Sequence, residues 1–142
     1  MSSHVLKTRI RTLVVALACA SGESKAGGGV VVIGNPNLTG LDAPTLEKVY
    51  TGRVIEVNGI AVTPVNENSG SAVRNRFLQA YLNEDEDKYT AYWIVRRYIG
   101  KGAPPRELSG SAAVINFVKS TPGAIGYIDE TDMQPGVNVL LK

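Results

Sequence analysis

Pro64-Val65-Asn66-Glu67-Asn68-Ser69-Gly70-Ser71-Ala72-Val73-Arg74 decides how this chain is read, because it joins an apolar extended run to an amphipathic helix through a short polar turn. From Ala72 onward Val73, Phe77, Leu78, Tyr81 and Leu82 recur at helical spacing on one face, leaving Arg74, Arg76, Gln79 and Asn83 on the other. A strand running directly into a helix is the building unit of an α/β layer structure. The start of such a helix presents backbone N–H groups without partners and the positive end of the helix dipole, which suits an anion. Ser69 and Ser71 equally suit ordinary helix capping, and Gly70 suits the turn. Arg74 is the discordant residue: a cation in the first helical turn opposes the dipole, where a capping box would carry Glu or Gln. A bound anion, or a salt bridge from Glu67, would reverse that penalty.

Outward from this stretch the α/β pattern continues on both sides. Val30-Val31-Val32-Ile33 is a β-branched run bounded by Gly34-Asn35-Pro36-Asn37, which predicts a central strand buried on both faces. Asp42-Ala43-Pro44-Thr45 opens a short helix that carries Leu46, Val49 and Tyr50 inward and stops at Gly52. Asn58-Gly59 predicts a tight turn between Val54-Ile55-Glu56-Val57 and the run Ile60 to Val65. Downstream, Glu84-Asp85-Glu86-Asp87 lacks the ligand spacing and mid-loop glycine of a calcium-binding hand, so it reads as a solvated turn whose last acids cap a helix over 88–99. Tyr89, Tyr92, Trp93 and Tyr98 on that helix read as core and helix contacts, with Arg96 and Arg97 near its C-terminus. Gly100 to Pro105 breaks the helix in a loop long enough to bend over a neighbouring site. Ser109-Gly110-Ser111 caps a further helix carrying Val114, Phe117 and Val118 inward, and 124–128 and 137–141 close the sheet.

The chain has 142 residues, 44% hydrophobic and 20% charged, which fits one globular domain able to bury its own core. Its formal charge of +2 originates at one end: residues 1–26 hold Lys7, Arg9, Arg11 and Lys25 against Glu23 alone, and without them the balance is −1. The expected divisions are therefore a secretory signal peptide over 1–26 and one domain over 27–142. The leader has a basic start, an apolar run from Leu13 to Ala20 too short to span a bilayer, and small-residue exits at Ser24-Lys25-Ala26 or Ala18-Cys19-Ala20. This implies a periplasmic or secreted protein. A lipid anchor at Cys19 fits less well, because Leu17 lies one place too close to the cysteine for a lipoprotein box. A net charge near zero argues against nucleic acid or an anionic membrane as partner. His4 and Cys19 are the only histidine and cysteine, and both fall in the leader. The mature domain is then expected to need no cofactor, to hold no metal through His or Cys, and to lack their nucleophilic chemistry.

Several segments in order resemble the phosphate-binding substrate proteins of ABC transporters: Leu46-Glu47-Lys48-Val49-Tyr50-Thr51-Gly52-Arg53; Thr63-Pro64-Val65 leading to Ser69-Gly70-Ser71, with Phe77 behind; Tyr92-Trp93; and Thr121 to Ile128. The resemblance spans nearly all of 27–142 and is strongest to small, single-lobe members of the type II periplasmic-binding-protein fold. It implies a single periplasmic-binding-protein-like lobe, with a mixed, mostly parallel sheet flanked by helices. It also implies a non-enzymatic domain associated with ABC-type phosphate transport, holding phosphate or a similar oxyanion with Ser69, Gly70, Ser71 and Arg74. In the family an arginine precedes the Ser-Gly-Thr turn; here that place falls to Val65 or Asn66, and Glu67 stands where an aspartate follows. A single lobe leaves the anion site shallow and wet unless a homodimer or partner closes it.

Two other functional classes stand beside this one. One is a degenerate binding lobe that docks a membrane transporter or sensor without a tight ligand. The other is a hydrolase using Glu67 as acid or base, which is disfavoured because the sequence places no second carboxylate beside it.

Overall fold

In the computed structural model the described residues are 29–142, so the leader over 1–26, with His4 and Cys19, lies outside them. The strands are β1 (Val30–Gly34), β2 (Glu56–Val57), β3 (Ile60–Ala61), β4 (Thr63–Glu67), β5 (Arg106–Leu108), β6 (Ala124–Asp129) and β7 (Asn138–Leu141). The helices are α1 (Ala43–Tyr50), α2 (Ala72–Phe77), which passes into a π turn over Leu78–Leu82, α3 (Glu86–Tyr98) and α4 (Ser111–Ser120).

Five strands form one sheet in the order β5-β4-β6-β1-β7, and β2 and β3 pair apart as a short hairpin. β4 runs parallel to both β5 and β6, whereas β1 is antiparallel to both β6 and β7. Four strands thus share one direction and β1 alone is reversed, which makes the sheet mixed and mostly parallel as expected. The β-branched run of β1 lies inside the sheet, buried from Val31 to Gly34 because helices cover both faces.

Side-chain alternation along the strands divides the core in two. Val32, Ile125 and Tyr127 face α1, α2 and α3, where they meet Leu46, Val49, Tyr50, Phe77, Leu78, Tyr89 and Trp93. Val31, Ile33, Val65, Ala124 and Ile128 face α4 and its Val114, Ile115 and Val118. At Gly126 the two layers approach so closely that a Cβ would lie 2.6 Å from Val114 Cγ1.

Local signals hold where the chemistry is local. Asp42 caps α1 by accepting from the Thr45 amide at 2.8 Å. Asn58 and Gly59 take φ of 50° and 78°, the positive pair of a tight hairpin turn. The structure departs from expectation at several places, among them Tyr98, expected as a core or helix contact and 91% exposed. α3 begins two residues earlier, at Glu86, with Asp85 as its cap. α4 starts behind Gly110, an N-cap without a side chain, and the Ser111 hydroxyl, already in the helix, donates to Asp132 at 2.7 Å. β4 extends through Asn66 and Glu67, which the sequence places in the turn. β5 has no sequence signal at all.

Candidate functional site

The turn between β4 and α2 is fixed from below by a buried tyrosine network. Tyr50 Oη donates to the Val65 carbonyl at 2.8 Å, and Tyr89 Oη donates to the Tyr50 carbonyl at 2.9 Å. Asn66 accepts from Tyr127 Oη at 3.0 Å and donates to Tyr89 Oη at 3.2 Å, and the Glu67 amide donates to Tyr127 Oη at 3.1 Å. Tyr127 also stacks on Phe77, with ring centroids 3.9 Å apart. Burial pushes the Tyr50, Tyr89 and Tyr127 phenols well up, so they remain neutral donors throughout the physiological range. Asn66 is thus a structural anchor, a role that its turn-like sequence context conceals.

Above this network lie the residues singled out from the sequence. Ser71 is the N-cap of α2, its hydroxyl accepting from the Arg74 amide at 3.2 Å, while its own amide donates to the Asn68 carbonyl. Gly70 adopts φ of 83°, a left-handed turn position with open space around it. Ser69 is exposed, and its hydroxyl donates to Glu107 Oε1 at 2.9 Å. Asn68 is tied to the same neighbouring segment through Ser109 Oγ at 2.7 Å.

Arg74 corrects the sequence reading. It does not lie on the outer face with Gln79 and Asn83 but is buried, only 4% exposed. Its Nε and Nη2 donate to the two oxygens of Glu86 at 2.8 and 2.7 Å, a bidentate pair. Its Nη1 donates to Glu107 Oε1 at 2.7 Å and to the backbone carbonyl of Glu67 at 3.0 Å. Burial by itself would lower the proton affinity of the guanidinium. The bonds and charges of Glu86, with a further contribution from Glu107, more than offset this and hold its pKa above the usual value. The dipole penalty anticipated for a cation in the first turn is therefore relieved by Glu86 and Glu107, not by the Glu67 carboxylate. Glu86 belongs to the acidic run read as a solvated turn. The signal for such a partner was Arg74 itself, but only the fold identifies which acids answer it.

Glu67 points elsewhere. It is 5% exposed, its Oε2 has no hydrogen-bond partner, and it shares a second cleft with Arg76, Ser111, Asp129 and Asp132. Desolvation raises its pKa, and the charges of Asp132 and Asp129 raise it further. The fold therefore does bring carboxylates near Glu67, contrary to the sequence expectation. Both are engaged: Asp129 pairs with Arg76 and accepts from Thr131, and Asp132 accepts from Ser111. Among the described residues no group of three or more acidic, His or Cys side chains is arranged to hold a metal ion.

Ser69 and Arg74 line one cleft of about 210 Å³. Asn66, Tyr89, Glu107 and Arg97 join them, with Trp93, Ile94, Pro104 and Pro105 as its apolar lining. The loop ending in Pro104-Pro105 does bend over this site, as its length allows. Gly70 and Ser71 shape the turn but do not line the cleft.

No family model and no curated protein matches this sequence. Solved structures do match. A protein from Clostridium perfringens, described as a phosphate ABC transporter substrate-binding protein with bound phosphate, aligns with TM-score 0.60 and 20% identity over 79% of this chain and 44% of its own. PstS from Borrelia burgdorferi aligns with TM-score 0.59 and 18% identity over 80% of this chain and 46% of its own. An ABC-type phosphate transport receptor from Vibrio cholerae aligns with TM-score 0.55 and 15% identity over 79% and 45%. The likeness establishes the fold: this chain has the periplasmic-binding-protein architecture and spans less than half the length of each of these proteins.

Proposed function

We propose that this chain is an extracytoplasmic, non-enzymatic solute-binding domain that takes phosphate or a related oxyanion at the turn before α2. Of the four residues singled out, Ser69 and Arg74 supply the donors, while Gly70 and Ser71 hold the turn in shape. The domain passes its ligand, or the signal of its binding, to an ABC-type transporter or sensor in the membrane. One observation carries this reading: Ser69 Oγ and Arg74 Nη1 meet on a single anionic oxygen, Glu107 Oε1, at 2.9 and 2.7 Å. Two donors aimed at one oxygen, one of them charged and buried, form the donor geometry of an oxyanion site. Glu107 fills it with an internal carboxylate whose side chain is 45% exposed and free to swing into water. The fold's likeness to three phosphate-transport proteins supports the same class of ligand.

A second reading has its own support. Glu86 and Glu107 already neutralise Arg74, which fits a degenerate lobe that docks a transporter or sensor without a tight ligand. Calorimetric titration with phosphate separates the two. The Glu107→Ala variant is expected to bind more tightly than wild type, and adding Ser69→Ala to it is expected to abolish the gain. No heat from either protein with millimolar phosphate or sulfate would exclude the anion-binding reading and leave the docking module.

A further inference from the structure

We infer that the cleft at Arg74 prefers an organic anion, an acidic head group carrying an apolar body, over a free inorganic oxyanion. This rests on the anion-binding reading above and names the substrate class of the same site.

The lining divides by chemistry. Ser69 and Arg74 are both bonded to Glu107 and, with Asn66, Tyr89, Thr90 and Arg97, form the polar part. Trp93 and Ile94 of α3, with Pro104 and Pro105 of the following loop, form the apolar part. Inorganic phosphate has no surface that benefits from such walls, and the walls strip water from its oxygens without replacing the lost hydrogen bonds. The volume, about 210 Å³, also exceeds the need of a single small ion. An acid with a phenyl-sized or branched aliphatic body uses both parts. Its head displaces Glu107 from Ser69 and Arg74, and its body lies on the apolar lining.

Two further features fit this ligand. Ile94 is 63% exposed although it lines a cleft, so apolar surface is held ready where a ligand would cover it. Arg97, also in the lining, is exposed and forms no ion pair among the described residues, which leaves a second positive charge for the head group.

Trp93 is the only tryptophan in the chain, so its emission reports on this cleft. The test titrates the full chain with phenylphosphonate and with inorganic phosphate, by Trp93 fluorescence and calorimetry. Phenylphosphonate is expected to bind about tenfold or more tightly than phosphate, from burial of part of one ring. It should also shift the Trp93 emission. Ile94→Ser, an exposed substitution that spares the core, should weaken phenylphosphonate several-fold and phosphate by much less. Equal affinities, or a preference for phenylphosphonate untouched by Ile94→Ser, would overturn the inference while the anion-binding reading stands. Absence of binding by either compound, in wild type and in Glu107→Ala, overturns both.

Discussion

Arg74 concentrates the physics of the candidate site in one side chain. A buried guanidinium must have its charge and its donors answered, and here one bidentate carboxylate, a second carboxylate and a backbone carbonyl take up four of its five N–H groups. The two acids differ in environment: the Glu86 side chain is 25% exposed and that of Glu107 is 45% exposed. Removing them is therefore not equivalent to removing the arginine. Arg74→Ala should cost about 2 kcal/mol or more, because it leaves a cavity and unpaired groups, whereas Glu107→Gln should cost under about 1 kcal/mol, since its partly exposed pair is screened by water. Urea denaturation of the two variants checks this, and equal losses would contradict it. It follows that Glu107 and Ser69, not Arg74, are the positions at which to probe ligand binding. Glu67 makes the opposite case. Its folded pKa is raised above its ordinary value of 4.5, so the folded state holds the proton more tightly than the unfolded state. Stability is accordingly lost as pH rises from the ordinary carboxyl range through the elevated value. Glu67→Gln should raise the Tm at neutral pH, and the difference should close below about pH 4.5. A Tm gain that stays constant with pH would show that ionisation of Glu67 is not the cause.

At the scale of elements, the parts of the site come from segments with very different sequence signatures. α2 was legible because Val73, Phe77, Leu78 and Leu82 repeat at helical spacing and are buried as that spacing requires. Its passage into a π turn, closed by Asn83 in the left-handed region at φ 52°, was not, since no local pattern distinguishes the extra residue. β5 was invisible for a different reason. Arg106-Glu107-Leu108 is three residues long, follows two prolines, and alternates too briefly to register, yet its parallel pairing with β4 sets Val65 opposite Arg106 and carries Glu107 to the turn. Contact between β6 and α4 depends on Gly126. Gly126→Ala would place a methyl 2.6 Å from Val114 Cγ1 and 3.2 Å from Val118 Cγ2 and Val65 Cγ2. It should destabilise by about 1–3 kcal/mol through overpacking. Combined with Val114→Ala it should cost less than the two single changes added together, because the second change makes room for the first. Additive losses in thermal denaturation would mean that the strain lies elsewhere.

For the whole molecule, three layers put the C-terminal ends of β4 and β5 and the start of α2 at one edge, where Asn66, Glu107 and Arg74 on these elements and Ser69 in the turn supply polar groups. The sheet's single reversed strand, β1, lies between β6 and β7, contributes to the core and lines no part of the cleft. The described chain corresponds to less than half of the length of each of these binding proteins that share its fold.

By itself the sequence determined the layer class, the position of β1, the caps and turns at Asp42 and Asn58-Gly59, and the turn at Ser69-Gly70-Ser71. These depend on neighbours within a few residues, where spacing, β-branching and backbone preference act directly. Only the tertiary structure decided what Arg74 does. Its partners lie 12 and 33 residues away in the chain, on α3 and on an edge strand without periodicity, and a charge interaction at such separation leaves no local pattern. The same holds for Glu67, whose near neighbours Asp129 and Asp132 reach it only because β4 and β6 run side by side. A serine-glycine turn can therefore be read one residue at a time. Whether its arginine is free or already neutralised is a property of the folded sheet.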